Sequence, residues 1–359
     1  MNAKEGDEGA RETKRLRLIP CETFSGMRGL AWHDNVLYAS RGYELMKAKV
    51  ISPKVAWEFV GQWHPEWWRK LTSRTRLSFR LVRDGFHALA VMPSGTVIAA
   101  VPGAIVTLSK GDKEFRVTHR VHRGTRPLHI VATPDGRAYW GEYFDNAERE
   151  EVYIYGSSDD AASWYAAHAF PRGAIRHVHN VVYDRWSSCL WVLTGDYGEE
   201  CRVLRASPDF GRVETVLSGN QQSRAVAAVP AKDGLYFASD TPLETNFVYR
   251  MDRHGSIHKL SPLTSSSIYG CSVGDDAFFF STMVEPSRVN RDQSVRVFGS
   301  RTGGEWLERV CWKKDLWSMR FFQYGNAFLP DGENTSGYLA VSTAAVEGAD
   351  QTLSLFRVE

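Results

Sequence analysis

The most constraining feature of this chain is a short pattern that occurs seven times along its 359 residues. In each copy an apolar strand is followed by a tight turn, mostly of Asp, Gly or Pro, and then by a second apolar strand. The copies are Gly29–Ser40, Ala88–Ala100, His129–Gly141, Asn180–Gly195, Ala225–Asp240, Gly270–Thr282 and Phe322–Ser342. Their spacing of about 45 residues is typical of propeller blades. It predicts an all-β fold, a single seven-bladed β-propeller with about four antiparallel strands per blade.

The same pattern predicts the domain organisation. Both ends of the folded chain, 14–24 and 352–359, alternate polar and apolar residues, so we expect the termini to complete one blade and remove an exposed sheet edge. Residues 1–13 offer almost nothing to bury, which predicts a disordered tail before one domain over 14–359. Blade boundaries are expected near 25–82, 83–125, 126–174, 175–220, 221–265, 266–316 and 317–359.

The first blade is the longest, and its segment 53–83 carries four tryptophans, Trp57, Trp63, Trp67 and Trp68. We expect this segment to be an insertion between outer strands. A cluster of tryptophans in a long loop more often packs the loop onto the body than binds a ligand, and packing is the favoured interpretation.

Composition narrows the classes of partner. With 44 basic and 42 acidic residues the net charge is only +2, which argues against a dedicated nucleic-acid binder. The N-terminal segment is charged, and no run approaches the roughly 20 apolar residues of a membrane span. The five cysteines are widely spaced without a Cys-x-x-Cys motif, so we expect reduced thiols and a cytoplasmic location. The oligomeric state stays open.

Three loops contain variants of the Asp-box, the turn Ser-x-Asp-x-Gly-x-Thr-Trp, and their spacing follows the blade repeat. They are Ser157–Trp164, Ser207–Gly211 and Ser300–Trp306. Over most of its length the chain therefore resembles the sialidase-like, Asp-box (BNR-repeat) β-propeller superfamily. The resemblance implies that these boxes are structural turns on the outer part of the propeller. By fold analogy alone, it also implies carbohydrate chemistry.

Alignment of the seven copies places polar residues around the predicted channel. The residues at the start of the innermost strand are Arg28, His87, Leu128 (with His129 beside it), His179, Arg224, Tyr269 and Arg320. The ends of the following strands include three acids in consecutive blades, Glu142, Asp196 and Asp240. Arginines and histidines that face acids in this way indicate a binding site for a polar substrate rather than packing alone.

The acids support the first functional hypothesis, a glycoside hydrolase acting on a polar or acidic glycan. A carboxyl pair can cleave a glycosidic bond, one group as acid and the other as nucleophile or base. Glu142, Asp196 and Asp240 are the candidates. The structural alternative is that Asp196 and Asp240 cap turns, as aspartates often do.

The histidines support a second hypothesis, a polysaccharide lyase. In β-elimination of a uronic-acid glycan, an arginine such as Arg224 neutralises the carboxylate while a histidine or tyrosine removes a proton. His129, His179 and Tyr143 could be that base. The structural alternative is that the histidines only form hydrogen bonds within a wet channel.

A third hypothesis is a non-catalytic scaffold that binds a glycan or a protein. No cofactor is expected, although a divalent metal is possible. His177 and His179 share one strand face and could bind such an ion with Asp196 or Glu199. The expected partner is a carbohydrate, and the expected substrate-binding residues are Arg28, His87, His129, His177, Arg224, Asn246, Tyr269, Glu285, Arg320 and Gln323.

Overall fold

The computed structural model describes residues 16–72, 80, 84–319 and 321–359. It contains seven sheets of four antiparallel strands, one of which has an added parallel strand. The innermost strands of six successive sheets contact each other in turn, and the added parallel strand closes the ring between the sixth and the first. The predicted all-β, seven-bladed β-propeller is therefore confirmed. The N-terminal tail predicted over 1–13 lies outside the described residues.

The first strand of the chain is β1 (Leu18–Ser25). Blade 1 then contains β2 (Arg28–Asp34), β3 (Val36–Arg41), β4 (Glu44–Lys49) and β5 (Glu58–Gln62), and the short helix α1 (Trp67–Thr72) follows it. Blade 2 contains β6 (Leu89–Val91), β7 (Val97–Val101), β8 (Ala104–Leu108) and β9 (Arg116–Arg120). Blade 3 contains β10 (Val131–Ala132), β11 (Ala138–Gly141), β12 (Val152–Ser157) and β13 (Tyr165–Phe170).

Blade 4 contains β14 (His177–Asp184), β15 (Cys189–Gly195), β16 (Arg202–Ala206) and β17 (Val213–Ser218). Blade 5 contains β18 (Ala225–Ala231), β19 (Gly234–Ser239), β20 (Phe247–Asp252) and β21 (Ile257–Pro262). Blade 6 contains β22 (Ser267–Val273), β23 (Ala277–Thr282), β24 (Ser294–Arg301) and β25 (Leu307–Lys313). The remaining strands are β26 (Asn326–Phe328), β27 (Asp331–Asn334), β28 (Tyr338–Ala344) and β29 (Thr352–Val358).

Blade 7 closes the ring with both termini, as the alternating patterns predicted. Its strand order is β26, β28, β29 and then β1 from the N-terminal end of the chain. β1 and β29 pair antiparallel, with Leu18 opposite Val358 and Ser25 opposite Thr352. This pairing joins the two ends of the chain and gives blade 7 its fourth, outermost strand.

Blade 1 gains a fifth strand because β27 pairs parallel with β2. Gly332 in β27 has φ 93°, and a Cβ atom there would collide with the carbonyl oxygen of Trp32. Only glycine fits this close approach without strain. The pairing ties the last blade to the first beside the channel.

The tryptophan-rich segment differs from the prediction in its position. The outermost strand of blade 1, β5, lies inside 53–83, so the extra residues follow the fourth strand and are not inserted between outer strands. Trp57 packs edge-on against Phe24 at 5.3 Å, and Trp63 packs on the core between blades 1 and 2. Trp67 is 80% exposed, so packing explains only part of the cluster.

The Asp-box of blade 3 is a structural turn between its third and fourth strands. Asp159 accepts hydrogen bonds from Ser157 Oγ at 2.8 Å and from the Ser163 amide at 3.0 Å. Trp164 reaches blade 2, where its ring nitrogen donates to Thr118 Oγ1 at 3.1 Å. Ala161, at the position of the box glycine, has φ 61°. The box therefore stabilises the outer part of the fold, as the resemblance implied.

In the described part of the chain, α1 is too short and too polar for a transmembrane helix, and no other helix qualifies as one.

Candidate functional site at one end of the channel

Different ends of the blade strands lie at the two ends of the channel. In blade 4, β14 starts at His177 and β15 returns to Gly195, which pairs with His177. The starts of innermost strands and the residues after second strands therefore lie at one end. We call this end the acidic face, after Asp196, Asp240 and Glu285. The opposite end, where the innermost strand turns back, is called the turn face.

Three buried side chains meet at the acidic face in blade 4, and we call them the His–His–Asp cluster: His177, His179 and Asp196. Asp196 Oδ1 lies 3.2 Å from His179 Nε2 and 3.4 Å from His177 Nε2, and the two Nε2 atoms are 3.1 Å apart. Burial opposes ionisation of Asp196, but the adjacent imidazoles of His177 and His179 hold its pKa well below the usual range. Burial lowers the pKa of His179.

A local irregularity of blade 4 allows both imidazoles to converge. The register of β14 against β15 shifts between Val178 and Asn180, which is a β-bulge at His179. A Cβ atom at Gly195 would lie 2.5 Å from His179 Cε1. The glycine opposite the histidine pair therefore leaves the space that the His179 ring occupies.

Arg224 connects this cluster to a second acid, Asp240. Its Nη2 atom lies 3.4 Å from Asp196 Oδ1 and 3.5 Å from Asp240 Oδ2. The two carboxylate oxygens are thus no more than about 7 Å apart. Burial raises the pKa of Asp240 to about 7; Arg224 opposes this shift and the charge of Glu285 adds to it.

Partly exposed side chains border these buried groups. Glu285 is half-buried, and burial raises its pKa. Burial and the charge of Asp196 raise the pKa of Tyr143 to about 12, and its ring lies 4.3 Å from that of His177. The 47% exposed ring of Tyr197 lies 5.7 Å from Arg224. We refer to Tyr143, His177, His179, Asp196, Arg224, Asp240 and Glu285 together as the acidic-face site.

A second polar group lies in the channel itself. His129 Nδ1 is 2.8 Å from Asp331 Oδ2, and the half-buried Arg28 packs its guanidinium 4.0 Å from the ring of Phe328. Burial lowers the pKa of Arg28 and raises that of Tyr269, and the two side chains interact. The predicted residues Arg28, His129 and Tyr269 are therefore brought together, apart from the acidic-face site.

Glu142 belongs to a different network. Its carboxylate pairs with Arg123, with 3.0 Å from Nε to Oε1, and accepts a hydrogen bond from the Tyr153 amide at 2.9 Å. Burial raises the pKa of Glu142, and these donors oppose the shift. The structure thus separates Glu142 from Asp196 and Asp240 by its bonding partners, and its catalytic role stays a prediction.

The remaining predicted residues take part in local contacts. The side chain of Asn246 stabilises its loop through hydrogen bonds with Ser239, Thr241 and Asn290. His87 contributes its carbonyl oxygen to Arg28 Nη2 at 3.3 Å, and Gln323 contributes its carbonyl to Arg80 at 3.4 Å. Arg320 lies outside the described residues.

Two residues beside these groups were not among the sequence candidates. Arg176 Nη1 lies 3.3 Å from Asp196 Oδ2, and its place directly before His177 could have suggested it. Asp331, the partner of His129, lies in a Pro-Asp-Gly sequence that predicted only a turn. Nothing in the sequence shows that β27 carries Asp331 into the channel.

The turn face has a cavity of about 450 Å³ lined by the far ends of the innermost strands. Its walls include many small and apolar residues, among them Ala90, Val181 and Ala228. At its rim Arg185 pairs with Asp275 and Glu333, and all three side chains are well exposed. The cavity and the buried acids therefore lie at opposite ends of the channel.

Comparisons with known proteins agree on the fold. No protein-family model and no curated protein matches the sequence. The WD40 β-propeller domain of Doa1 has a TM-score of 0.57 at 11% identity, covering 95% of this chain and 97% of that domain. The β-propeller domain of Myceliophteria thermophila Cps50 (Swd1) has a TM-score of 0.56 at 10% identity, covering 96% of this chain and 100% of that one.

An ancestral GH74 enzyme has a TM-score of 0.53 at 13% identity, covering 92% of this chain but only 45% of the enzyme. At such identities these likenesses show the fold alone. They define the class of this protein, a seven-bladed β-propeller, and give no specific support to the sialidase-like superfamily.

Proposed function

We propose that this propeller hydrolyses a glycosidic bond of a polar glycan at its acidic face, with Asp240 as general acid and Glu285 as general base. The observation that carries the proposal is the buried Asp240 carboxyl, held 3.5 Å from Arg224 among the carboxyls of Asp196 and Glu285. Hydrolysis by two carboxyl groups requires their environments to differ, so that one keeps its proton while the other is ionised.

Asp240 has the environment of the acid. Its side chain is buried, and it shares the Arg224 guanidinium with Asp196 instead of having a cation to itself. A carboxyl close to other carboxylates in a poorly solvated place retains its proton to higher pH. A pKa of about 7 suits proton donation to a leaving group near neutral pH.

Glu285 is better suited than Asp196 to act as the base. Both oxygens of Asp196 already have close polar neighbours: His177, His179 and Arg224 at Oδ1, and Arg176 at Oδ2. A carboxylate that is already well bonded gains little from accepting a proton. Glu285 is only half-buried, so a water molecule can reach it.

The rim of the site favours a neutral glycan over an acidic one. The tyrosine rings of Tyr143 and Tyr197 offer flat apolar faces with polar edges, which suit the faces of sugar rings. The nearby cations, Arg224 and Arg176, are already paired with acids. A further carboxylate on the substrate would meet uncompensated negative charge.

The lyase alternative has less support. A base must be free to take the proton, but the pKa of Tyr143 is raised to about 12. His179 is buried, with Nδ1 at the Ala225 carbonyl and Nε2 within the His–His–Asp cluster.

The test is a panel of neutral and uronic-acid oligosaccharides followed for new reducing ends and for ultraviolet absorbance of unsaturated products. We expect cleavage of neutral substrates without absorbance. Asp240→Asn and Glu285→Gln should each reduce the rate of cleavage by about 100- to 10,000-fold. Asp275→Asn on the turn face should cleave at the wild-type rate. Absorbing products would establish a lyase instead. No cleavage by the wild type would overturn the proposal and leave the non-catalytic scaffold. Full cleavage by both variants would overturn the assignment of Asp240 and Glu285 as the catalytic pair.

A further inference from the structure

We propose that the His–His–Asp cluster is a binding site for one divalent transition-metal ion, with zinc as the best match. The ligand atoms are His177 Nε2, His179 Nε2 and Asp196 Oδ1, three atoms that lie 3.1 to 3.4 Å from one another. This inference goes beyond the proposed hydrolysis and does not depend on the substrate.

The positions of the ring protons carry the first part of the argument. His179 Nδ1 lies 2.8 Å from the carbonyl oxygen of Ala225, and His177 Nδ1 lies 3.2 Å from that of Phe144. A carbonyl oxygen only accepts, so in each ring Nδ1 carries the hydrogen. A neutral imidazole has a single N–H, which leaves a lone pair on both Nε2 atoms.

Three lone pairs therefore face one another in a buried space. Two Nε2 atoms and a carboxylate oxygen are all acceptors, and acceptors at 3.1 to 3.4 Å do not bond to each other. A cation placed between them would satisfy all three at once. Neutral imidazole nitrogens and a carboxylate oxygen are ordinary zinc ligands.

The spacing fits a tetrahedral ion. Ligand atoms at the usual zinc distances of about 2.0 to 2.1 Å, arranged tetrahedrally, lie about 3.3 Å apart. The three observed separations fall on either side of this value. Three protein ligands with a fourth position left open is the pattern of zinc sites that bind an exchangeable group.

The groups around the ligands are those that orient metal ligands in proteins. Each histidine is held through Nδ1 by a backbone carbonyl, and Asp196 Oδ2 is held by Arg176 at 3.3 Å. Such contacts fix ring orientation and increase metal affinity. The β-bulge at His179 and the absence of a side chain at Gly195 bring the two rings together.

The local charge also favours a cation. Asp196, Asp240 and Glu285 surround Arg224, while Arg176 is shared between Asp196 and Asp145. Arg224 also lies 3.4 Å from Asp196 Oδ1 and would share that oxygen with the ion, while it keeps Asp240 as its second partner.

The test measures binding directly. The full-length protein is stripped with a chelator, titrated with zinc by calorimetry, and loaded separately with cobalt(II). We expect one zinc per chain and the intense visible absorption of four-coordinate cobalt. His179→Ala and Asp196→Asn should weaken zinc binding by at least about 100-fold, because loss of an outer contact alone costs 10- to 100-fold. Arg176→Gln should weaken it about 10-fold.

The matched control is His258→Ala, which removes a histidine paired with a single carboxylate, Asp252, at 3.0 Å on the surface. It should bind zinc as wild type does. Zinc binding that is unchanged in His179→Ala, or a wild type without stoichiometric zinc and without the cobalt spectrum, would overturn the proposal. A proton shared among the three groups would then explain the geometry. The cobalt spectrum uses only the wild type, so it remains decisive if a variant misfolds.

Discussion

Each end of the channel contains an arginine between two carboxylates, and the two arrangements differ mainly in how far the arginine is exposed to solvent. At the acidic face Arg224 lies between Asp196 and Asp240, and its side chain is 14% exposed. At the turn face Arg185 lies between Asp275 and Glu333, and its side chain is 43% exposed. Charges in water are screened, whereas buried charges depend on each other and shift each other's pKa.

The largest group of buried acids and the described cavity also lie at different ends of the channel. The cavity of about 450 Å³ is at the turn face, where Arg185 pairs with Asp275 and Glu333 at a solvated rim and His129 pairs with Asp331 in the lining. The acidic face holds the buried acids and the histidine pair. The cavity and the buried carboxyls of Asp196 and Asp240 therefore lie at different ends of the channel.

The largest expected effect compares the two arginines directly. Arg224→Met should destabilise the fold by about 3 to 5 kcal/mol, because it removes the cation that two buried carboxyls share and leaves Asp240 without one. Arg185→Met should cost about 0 to 1 kcal/mol, since its ion pairs are exposed. Chemical denaturation of both variants measures the difference. Equal losses would show that burial does not distinguish the two ends.

The second prediction concerns pH. The pKa of Asp240 in the folded chain, about 7, is above the value of about 4 for an unfolded aspartate. The folded chain therefore binds this proton more tightly, and wild-type stability should fall as pH rises from about 4 to about 7 and then level off. The loss should be on the order of 2 to 4 kcal/mol relative to Asp240→Asn.

Denaturation curves of wild type and Asp240→Asn across this pH range provide the measurement. Asp275→Asn at the turn face serves as the control and should run parallel to wild type. A pH-independent difference between wild type and Asp240→Asn would show that Asp240 is ionised throughout.

The third prediction tests whether the missing side chain at Gly195 leaves the space that the His179 imidazole occupies. Gly195→Ala should cost about 1 to 3 kcal/mol, because the added Cβ atom would overlap the imidazole. The double variant Gly195→Ala/His179→Ala has no imidazole for the added Cβ atom to overlap. Its loss of stability should therefore be smaller than the sum of the losses in the two single variants. Additive losses in thermal denaturation would contradict the steric explanation.

The smallest effect belongs to the outer turns. Asp159→Ala should destabilise the fold by about 1 kcal/mol, because it removes hydrogen bonds at a solvated turn. Glycan cleavage by the folded variant should equal that of wild type. A variant of normal stability but reduced activity would place the Asp-box in the site.

Local patterns were enough to predict the architecture. Blade strands and their turns depend on residues that are close together in the sequence. Examples are the alternation in β14 and β15, the tight turn between them and the 45-residue repeat. The pairing of β1 with β29 was also predictable, because a propeller without closure would expose an edge. The position of the extra segment after β5 was predicted wrongly, because apolar content does not show which strand is outermost.

The acidic-face site was predictable in part. The alignment on turns found Asp196, Arg224 and Asp240, because equivalent positions in neighbouring blades share one end of the channel. The same alignment grouped Glu142 with them, but Arg123 and Tyr153 hold its carboxylate in another network. Register places a residue at an end of a strand, and the partners of its side chain come from other blades.

The sequence by itself determined the number of blades, the antiparallel pairing of their strands and the end of the channel where acids and histidines collect. These follow from a period that repeats within short windows and from the geometry of closed sheets. Only the tertiary structure decided that His177 and His179 face Asp196 with their lone pairs, and that Arg224 joins Asp196 to Asp240. Those contacts depend on a β-bulge, on a missing side chain at Gly195 and on burial, which arise only when distant segments pack together.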